Sequence, residues 1–318
     1  MYLMPLVRLL PSLLCLAVVL MTGELAPCRA QDPLDPTSAF KDFVAARQAA
    51  LSNLKSFEMK GSLKVTVSDD ELAANGGSKI TERTFHVWAK GDGIQEFVER
   101  LDDAGKVEST TTYYLTSKQV IEVEEQKGER AAKIFTLGKA PNTGLFNECP
   151  AFLEYSFLGL SINDYGFPAL PPSALVSSQK WQGVFHGLEG VSSGKDGSVR
   201  ASLSTKAGSS TLDLTPVPDA KGGYQIRELS FFSKDKFLDR KIEVLDFFHD
   251  KEFGAIGTKF RVGVYRSAPG KPPIALWEFS IDDVQLNCPV DDAQLRFEPD
   301  TVDYIFYGDT QQSVKLHQ

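Results

Sequence analysis

Apolar positions recur every three to four residues over 35–54. Asp35-Pro36-Thr37-Ser38 opens the run with a capping side chain and a proline where a missing N–H costs nothing. Phe40, Phe43, Val44, Ala50, Leu51 and Leu54 then form a stripe, with Lys41, Asp42, Arg47 and Gln48 placed off it. The spacing predicts an amphipathic helix ending near Ser52 to Leu54. Beyond it the period changes to two. Leu63-Val65-Val67 alternates with Lys64 and Thr66, and Phe85-Val87-Ala89 alternates with His86, Trp88 and Lys90. Further strands are predicted over 94–101, 107–116, 118–125 and 130–137. Gly91-Asp92-Gly93, Asp103-Ala104-Gly105 and Lys127-Gly128 are turn sequences, and joints this short make the strands antiparallel neighbours. Ser68 to Ser78 reads as a longer, mobile polar loop.

The rhythm breaks over 141–175, where Pro150 opens a short helix carrying Phe152, Leu153, Phe157 and Leu158, followed by a Pro-rich connection. Alternation resumes at Trp181 to Phe185 and predicts strands over 198–204, 210–215, 224–232, 237–248, 258–266, 274–286 and 294–298. Most strands carry one apolar and one polar face, so the sheet buries one side and wets the other. A sheet of about a dozen strands must curl or split. Two helices with apolar faces need a surface to cover, which favours curling. The expected class is therefore mainly β (α+β), a large curled antiparallel sheet or half-barrel covering the N-terminal helix and the short central one.

The N-terminus changes the picture of where this sheet works. Arg8 precedes an apolar run from Leu9 to Met21, and Cys28 and Ala30 satisfy a small-x-small rule. This is the pattern of a secretory signal over 1–30, cleaved after Ala30, leaving 31–318 as a single exported domain. A lipid anchor at Cys28 is the less favoured alternative, because Pro27 stands where a small residue is wanted. Two cysteines then remain, Cys149 and Cys288, and in an oxidising compartment they are a disulfide candidate. Two buried thiols that never meet are the alternative.

Composition excludes more than it reveals. The 318 residues carry 34 Lys+Arg against 42 Asp+Glu, a net charge of −8 that argues against a nucleic-acid partner. Four histidines leave little material for metal or acid–base chemistry. Gly190 to Gly197 resembles a phosphate loop but is one residue short, with Asp196 where a magnesium-binding hydroxyl belongs, so it reads as a β-turn. His249-Asp250 after Asp246 marks a strand exit, and Asp282-Asp283 and Asp291-Asp292 read as solvated hairpin ends. His86 reads as a rim residue, and Glu122 and Glu124 as one wet strand face. No catalytic residue, metal ligand or cofactor is predicted, and no ligand-binding residue is named. The 21 Phe, 9 Tyr and 3 Trp exceed what two helices would cover, which points to a cleft for an apolar or amphipathic ligand.

The run from Trp277 to Asp303 carries a strand, a polar segment with Asn287, an Asp-containing turn, Phe297-Glu298-Pro299 and a Val302-Asp303 finish. It resembles the closing section of the periplasmic lipoprotein-carrier (LolA-type) superfamily. The order of elements agrees over most of 35–305, and specific residues agree over 277–303. The resemblance implies a half-barrel that shelters an acyl or lipid-like ligand stoichiometrically, with peripheral membrane contact and no enzyme chemistry. It carries over no functional residue. Two other readings stand beside it: an extracytoplasmic structural or interaction protein with a filled core, and a secreted hydrolase.

Overall fold

The computed structural model describes residues 35–136, 187–204, 208–217, 223–265 and 271–316. The leader over 1–30 with Cys28 and Ala30, the helix at Pro150, the strand at Trp181, Cys149, His186 and His317 lie outside them. The described elements belong to the compact unit Pro36–Gln318.

Helix α1 (Pro36–Asn53) leads into β1 (Ser56–Val67), a short α2 (Asp69–Asn75), β2 (Ile80–Lys90), β3 (Gly93–Leu101), β4 (Val107–Leu115), β5 (Gln119–Gln126) and β6 (Glu129–Thr136). The second series is β7 (Leu188–Ser193), β8 (Val199–Ser204), β9 (Gly208–Pro216), β10 (Tyr224–Ser233), β11 (Leu238–Asp250), β12 (Gly254–Val264) and β13 (Ala275–Leu286). A 3-10 turn at Pro299–Thr301 precedes β14 (Tyr304–Tyr307) and β15 (Gln312–Lys315).

The 15 strands among the described residues form one curled, unclosed sheet in the order β15-β14-β6-β5-β4-β3-β2-β1-β13-β12-β11-β10-β9-β8-β7. Each series is a meander, because turns of a few residues force consecutive strands to pair antiparallel. The meanders meet where β13 pairs with β1, Phe57 opposite Leu286 and Val67 opposite Ala275. The exception to antiparallel pairing is β14, which lies parallel to β6. Strands over 93–136 and 199–286 fall within a few residues of the sequence expectation.

Four segments differ from it, one of them β7, which the alternation did not predict. The polar stretch after β1 contains α2, because Ser68 caps the Glu71 N–H and three acids occupy the first turn, where the helix dipole favours them. Residues 294–298 form no strand. Asp291 accepts from the Ala293 N–H, and successive turns follow from Asp291 to Arg296. The apolar residues there act as plugs, Leu295 against Gly93 and Phe297 with its ring 5.9 Å from that of Tyr114. The short β14 and β15 were not expected.

Burial follows the period of two. Phe57, Met59 and Leu63 of β1 enter the main core with Phe85, Val87 and Ala89 of β2. On β5, Val120 joins that core while Ile121 and Val123 face the other side. There Val302, Ile305 and Phe297 from the C-terminal segment cover them as a second cluster. The inner face of the sheet is thus apolar over β7 to β2 and the outer face is largely wet, except under this C-terminal strap.

Candidate functional site

The inner face is defined by register. Val191 of β7 stands opposite Ala201, Ala201 opposite Leu212, and Leu212 opposite Leu229. The row continues from Leu229 through Ile242, Val262 and Trp277 to Val65 of β1. One cross-strand row is therefore apolar over eight strands. Helix α1 packs chiefly against β7 and β8 at one end of it. Trp277 and Val65, at the other end, are half-buried.

A second row changes character as it crosses the sheet. Val284, Met59 and Val87 lie in register, followed by Glu96, Tyr113, Glu122 and Lys133. Glu96 is fully buried. Lys133 Nζ donates to Glu122 and Glu124, each at 3.0 Å. Burial lifts the Glu122 carboxyl above its ordinary value, and its hydrogen bond to Glu124 adds to this against the pull of Lys133. Burial also pushes Glu124 up, but the bonds from Glu122 and Lys133 together bring it below normal. The inner face therefore has an apolar end and an acid-rich end. Glu122 and Glu124 share a face, as the sequence suggests, but Glu122 is half-buried rather than wet.

Helix α1 turns Ala39, Phe40, Phe43, Val44 and Ala50 inward. Arg47 lies in the same stripe, four residues after Phe43 and three after Val44, and is 3% exposed. Its Nη1 donates to the Phe253 carbonyl at 3.2 Å, and its guanidinium carbon lies 5.3 Å from the Phe43 ring centre. Burial pushes its pKa down to about 10, so it remains charged at neutral pH. The sequence reading placed Arg47 off the apolar stripe. The missed signal was its spacing, since 40, 43, 44, 47 and 50 trace one helix face.

The outer face carries a different set. His86 Nε2 lies 2.7 Å from Glu58 Oε1, and the His86 ring is stacked 3.5 Å from that of Trp88. His86 is half-buried on the outer face of a central strand, in the middle of the sheet and not at its rim. A polar cleft of about 450 Å³ opens beside Ser192, Ser198 and Arg227, where Arg200 is held bidentately by Asp213. Of the Gly190 to Gly197 segment, expected to be a β-turn, Gly190 to Ser193 belongs to β7 and the turn begins at Gly194, with Asp196 accepting from the Ser198 N–H and hydroxyl. His249 is exposed, and Asp250 accepts from the Glu252 and Phe253 N–H groups in the next turn. Asp282 and Asp283 are exposed, while Asp292 pairs with Lys90 at 2.7 Å.

Cys288 is a free, half-buried thiol, raised in pKa by burial and by nearby Glu58. Cys149, its expected partner, lies outside the described residues. Among those residues no cluster of three or more His, Cys, Asp or Glu side chains is placed to hold a metal. No helix among them is long and apolar enough to cross a membrane.

No family model matches the chain, and no curated protein matches its sequence. Among solved structures it is similar to a DUF1329 family protein from Desulfovibrio piger, at 10% identity over 84% of this chain and 99% of that one, with a TM-score of 0.46. It is also similar to a LolA superfamily protein from Nitrosomonas europaea, at 9% identity over 81% and 97% of the two chains, with a TM-score of 0.45.

Proposed function

We propose that this chain is an exported, non-enzymatic binding protein that shelters a lipid-like or acyl ligand against the inner face of its sheet. The observation that carries the reading is the apolar row from Val191 to Val65, which runs unbroken across eight strands of a curled, unclosed sheet. Half-buried Trp277, Val65, Val284 and Tyr224 pack onto that core as its incompletely covered members. Binding would be stoichiometric and driven by apolar burial, at about 25 cal/mol per Å² and about 0.8 kcal/mol per methylene. Four or five methylenes thus give several kcal/mol, and release requires a membrane or partner that offers an equally apolar site.

The test is native mass spectrometry and lipid extraction of the protein purified from its own compartment, alongside uptake of a fluorescent fatty acid. Co-purified lipid displaced by the probe is the expected result. Absence of lipid together with absence of uptake overturns the reading.

A further inference from the structure

We propose that Arg47 receives an anionic head group, so that the ligand is an amphiphile with a carboxylate or phosphate at the end of an acyl chain. The inference rests on the apolar-ligand reading above and deepens it.

A guanidinium offers five N–H donors in a planar fork. Arg47 is almost completely buried in the apolar stripe of α1, yet among the described residues it uses one donor, on the Phe253 carbonyl. Its guanidinium also lies over the Phe43 ring. Among the described residues no carboxylate pairs with it, and burial is what lowers its pKa, while leaving it protonated. Buried charges are ordinarily paired, because an unpaired one forfeits its hydration. The group that repays this best is planar or tetrahedral, anionic, and able to take two parallel N–H bonds, which describes a carboxylate or a phosphate.

The rest of the inner face fits the same polarity. Glu96, Glu122 and Glu124 make the β3–β5 end acid-rich, the wrong sign for an anion. Helix α1 meets the apolar row at β7 and β8, and Arg47, farther along the helix, meets the Phe253 carbonyl at the β11–β12 turn. An acyl chain against the apolar strands with its charged end at Arg47 leaves β13, β1 and β2 between the head and the acid-rich end. The bland alternative is that Arg47 only ties α1 to the β11–β12 turn.

The experiment measures binding of oleate, oleyl phosphate and oleyl alcohol to the delipidated full chain by fluorescence titration. The wild type is expected to bind at least one of the two anions ten-fold or more tighter than the alcohol, and comparison of the two identifies the head. In Arg47→Met that preference collapses to within two-fold, with alcohol affinity retained. Arg47→Gln keeps a donor for the Phe253 carbonyl but no charge, and loses the preference too. It decides the matter if the Met variant fails to fold, and wild-type head-group preference is read independently of both. Equal wild-type affinities overturn the inference and leave the apolar reading intact. A preference that survives in a folded variant overturns the role of Arg47. Failure of all three probes to bind removes the apolar reading, and this inference with it.

Discussion

Asn287 reaches across 232 residues to accept the Lys55 backbone N–H at 2.8 Å. Its Nδ2 donates to the Asn53 carbonyl at 3.0 Å, and its own backbone N–H donates to Ser56. One residue therefore fastens the end of α1 and the start of β1 to the end of β13. It does so with φ at 52°, in the left-handed region that asparagine tolerates better than most residues.

Two substitutions separate the parts of this clamp. Asn287→Gly keeps the backbone conformation and removes two side-chain bonds, for a loss of about 1–2 kcal/mol. Asn287→Ala removes the same bonds and adds the left-handed strain, about 1 kcal/mol more. Urea unfolding of both variants checks the order. Equal losses would mean that the conformation is not what asparagine supplies, and a neutral Gly variant would mean that the bonds contribute nothing.

The sequence showed most of the sheet because each strand announces its own period and each tight turn its neighbour. It could not show that β1 pairs with β13, or β6 with β14, because pairing between distant segments leaves no mark on local alternation. The apolar row from Val191 to Val65 is a property of register and was invisible for the same reason. The 294–298 alternation was real, but Asp291 folds the segment into turns and its apolar residues plug other elements. The residues that carry the family resemblance turn out to be fasteners. Besides Asn287, Val302 is buried in the second cluster, and Asp303 accepts from the Arg130 N–H at 2.9 Å. Arg47 alone was open to discovery from spacing, as a charge in a core position of a helix.

Gly61 sits at the bulge between β1 and β13. A Cβ there would fall 2.6 Å from Phe85 Cζ and closer still to the Ser280 carbonyl oxygen. The ring can turn aside, but the carbonyl belongs to a paired strand and cannot. Gly61→Ala is therefore expected to cost about 2–3 kcal/mol, in the range of overpacked cores. Adding Phe85→Leu should recover little of it, because the backbone clash persists. Thermal and urea unfolding of the single and double variants test this. Full recovery in the double variant would place the conflict in the ring instead.

Holding Arg47 charged in an apolar stripe works against the ligand-free fold. Its folded-state pKa lies below the ordinary value, so the charged form is less stable inside than in the unfolded chain. Arg47→Met removes that penalty and also loses one bond to a carbonyl, worth about 1–3 kcal/mol for a charged donor. Among the described residues no paired carboxylate is orphaned by the change. Replacement of buried charge by an apolar side chain of similar volume is often stabilising by about 1–4 kcal/mol. The delipidated Arg47→Met protein is thus expected to be as stable as the wild type or up to about 2 kcal/mol more stable. A loss above about 2 kcal/mol would show that the tie to the Phe253 carbonyl dominates.

His86 sets a pH dependence of stability with a definite sign. Burial lowers its pKa below 6.5, outweighing the hydrogen bond it makes to the Glu58 carboxylate, and the charge of Lys60 acts in the same direction as burial. As pH falls through 6.5 the unfolded chain protonates this histidine before the folded one does. Stability rises with pH wherever the unfolded state holds more protons. The contribution of His86 is therefore lost on acidification between 6.5 and the lower folded value, and is flat below it. NMR titration of the His86 ring should give a midpoint under 6.5. In Glu58→Gln that midpoint should fall further, because both the hydrogen bond and the charge of Glu58 favour the protonated ring. His86→Gln should remove this part of the slope from a series of urea midpoints taken across pH 5 to 7. A wild-type midpoint at or above 6.5 would mean that pairing with Glu58 prevails over burial.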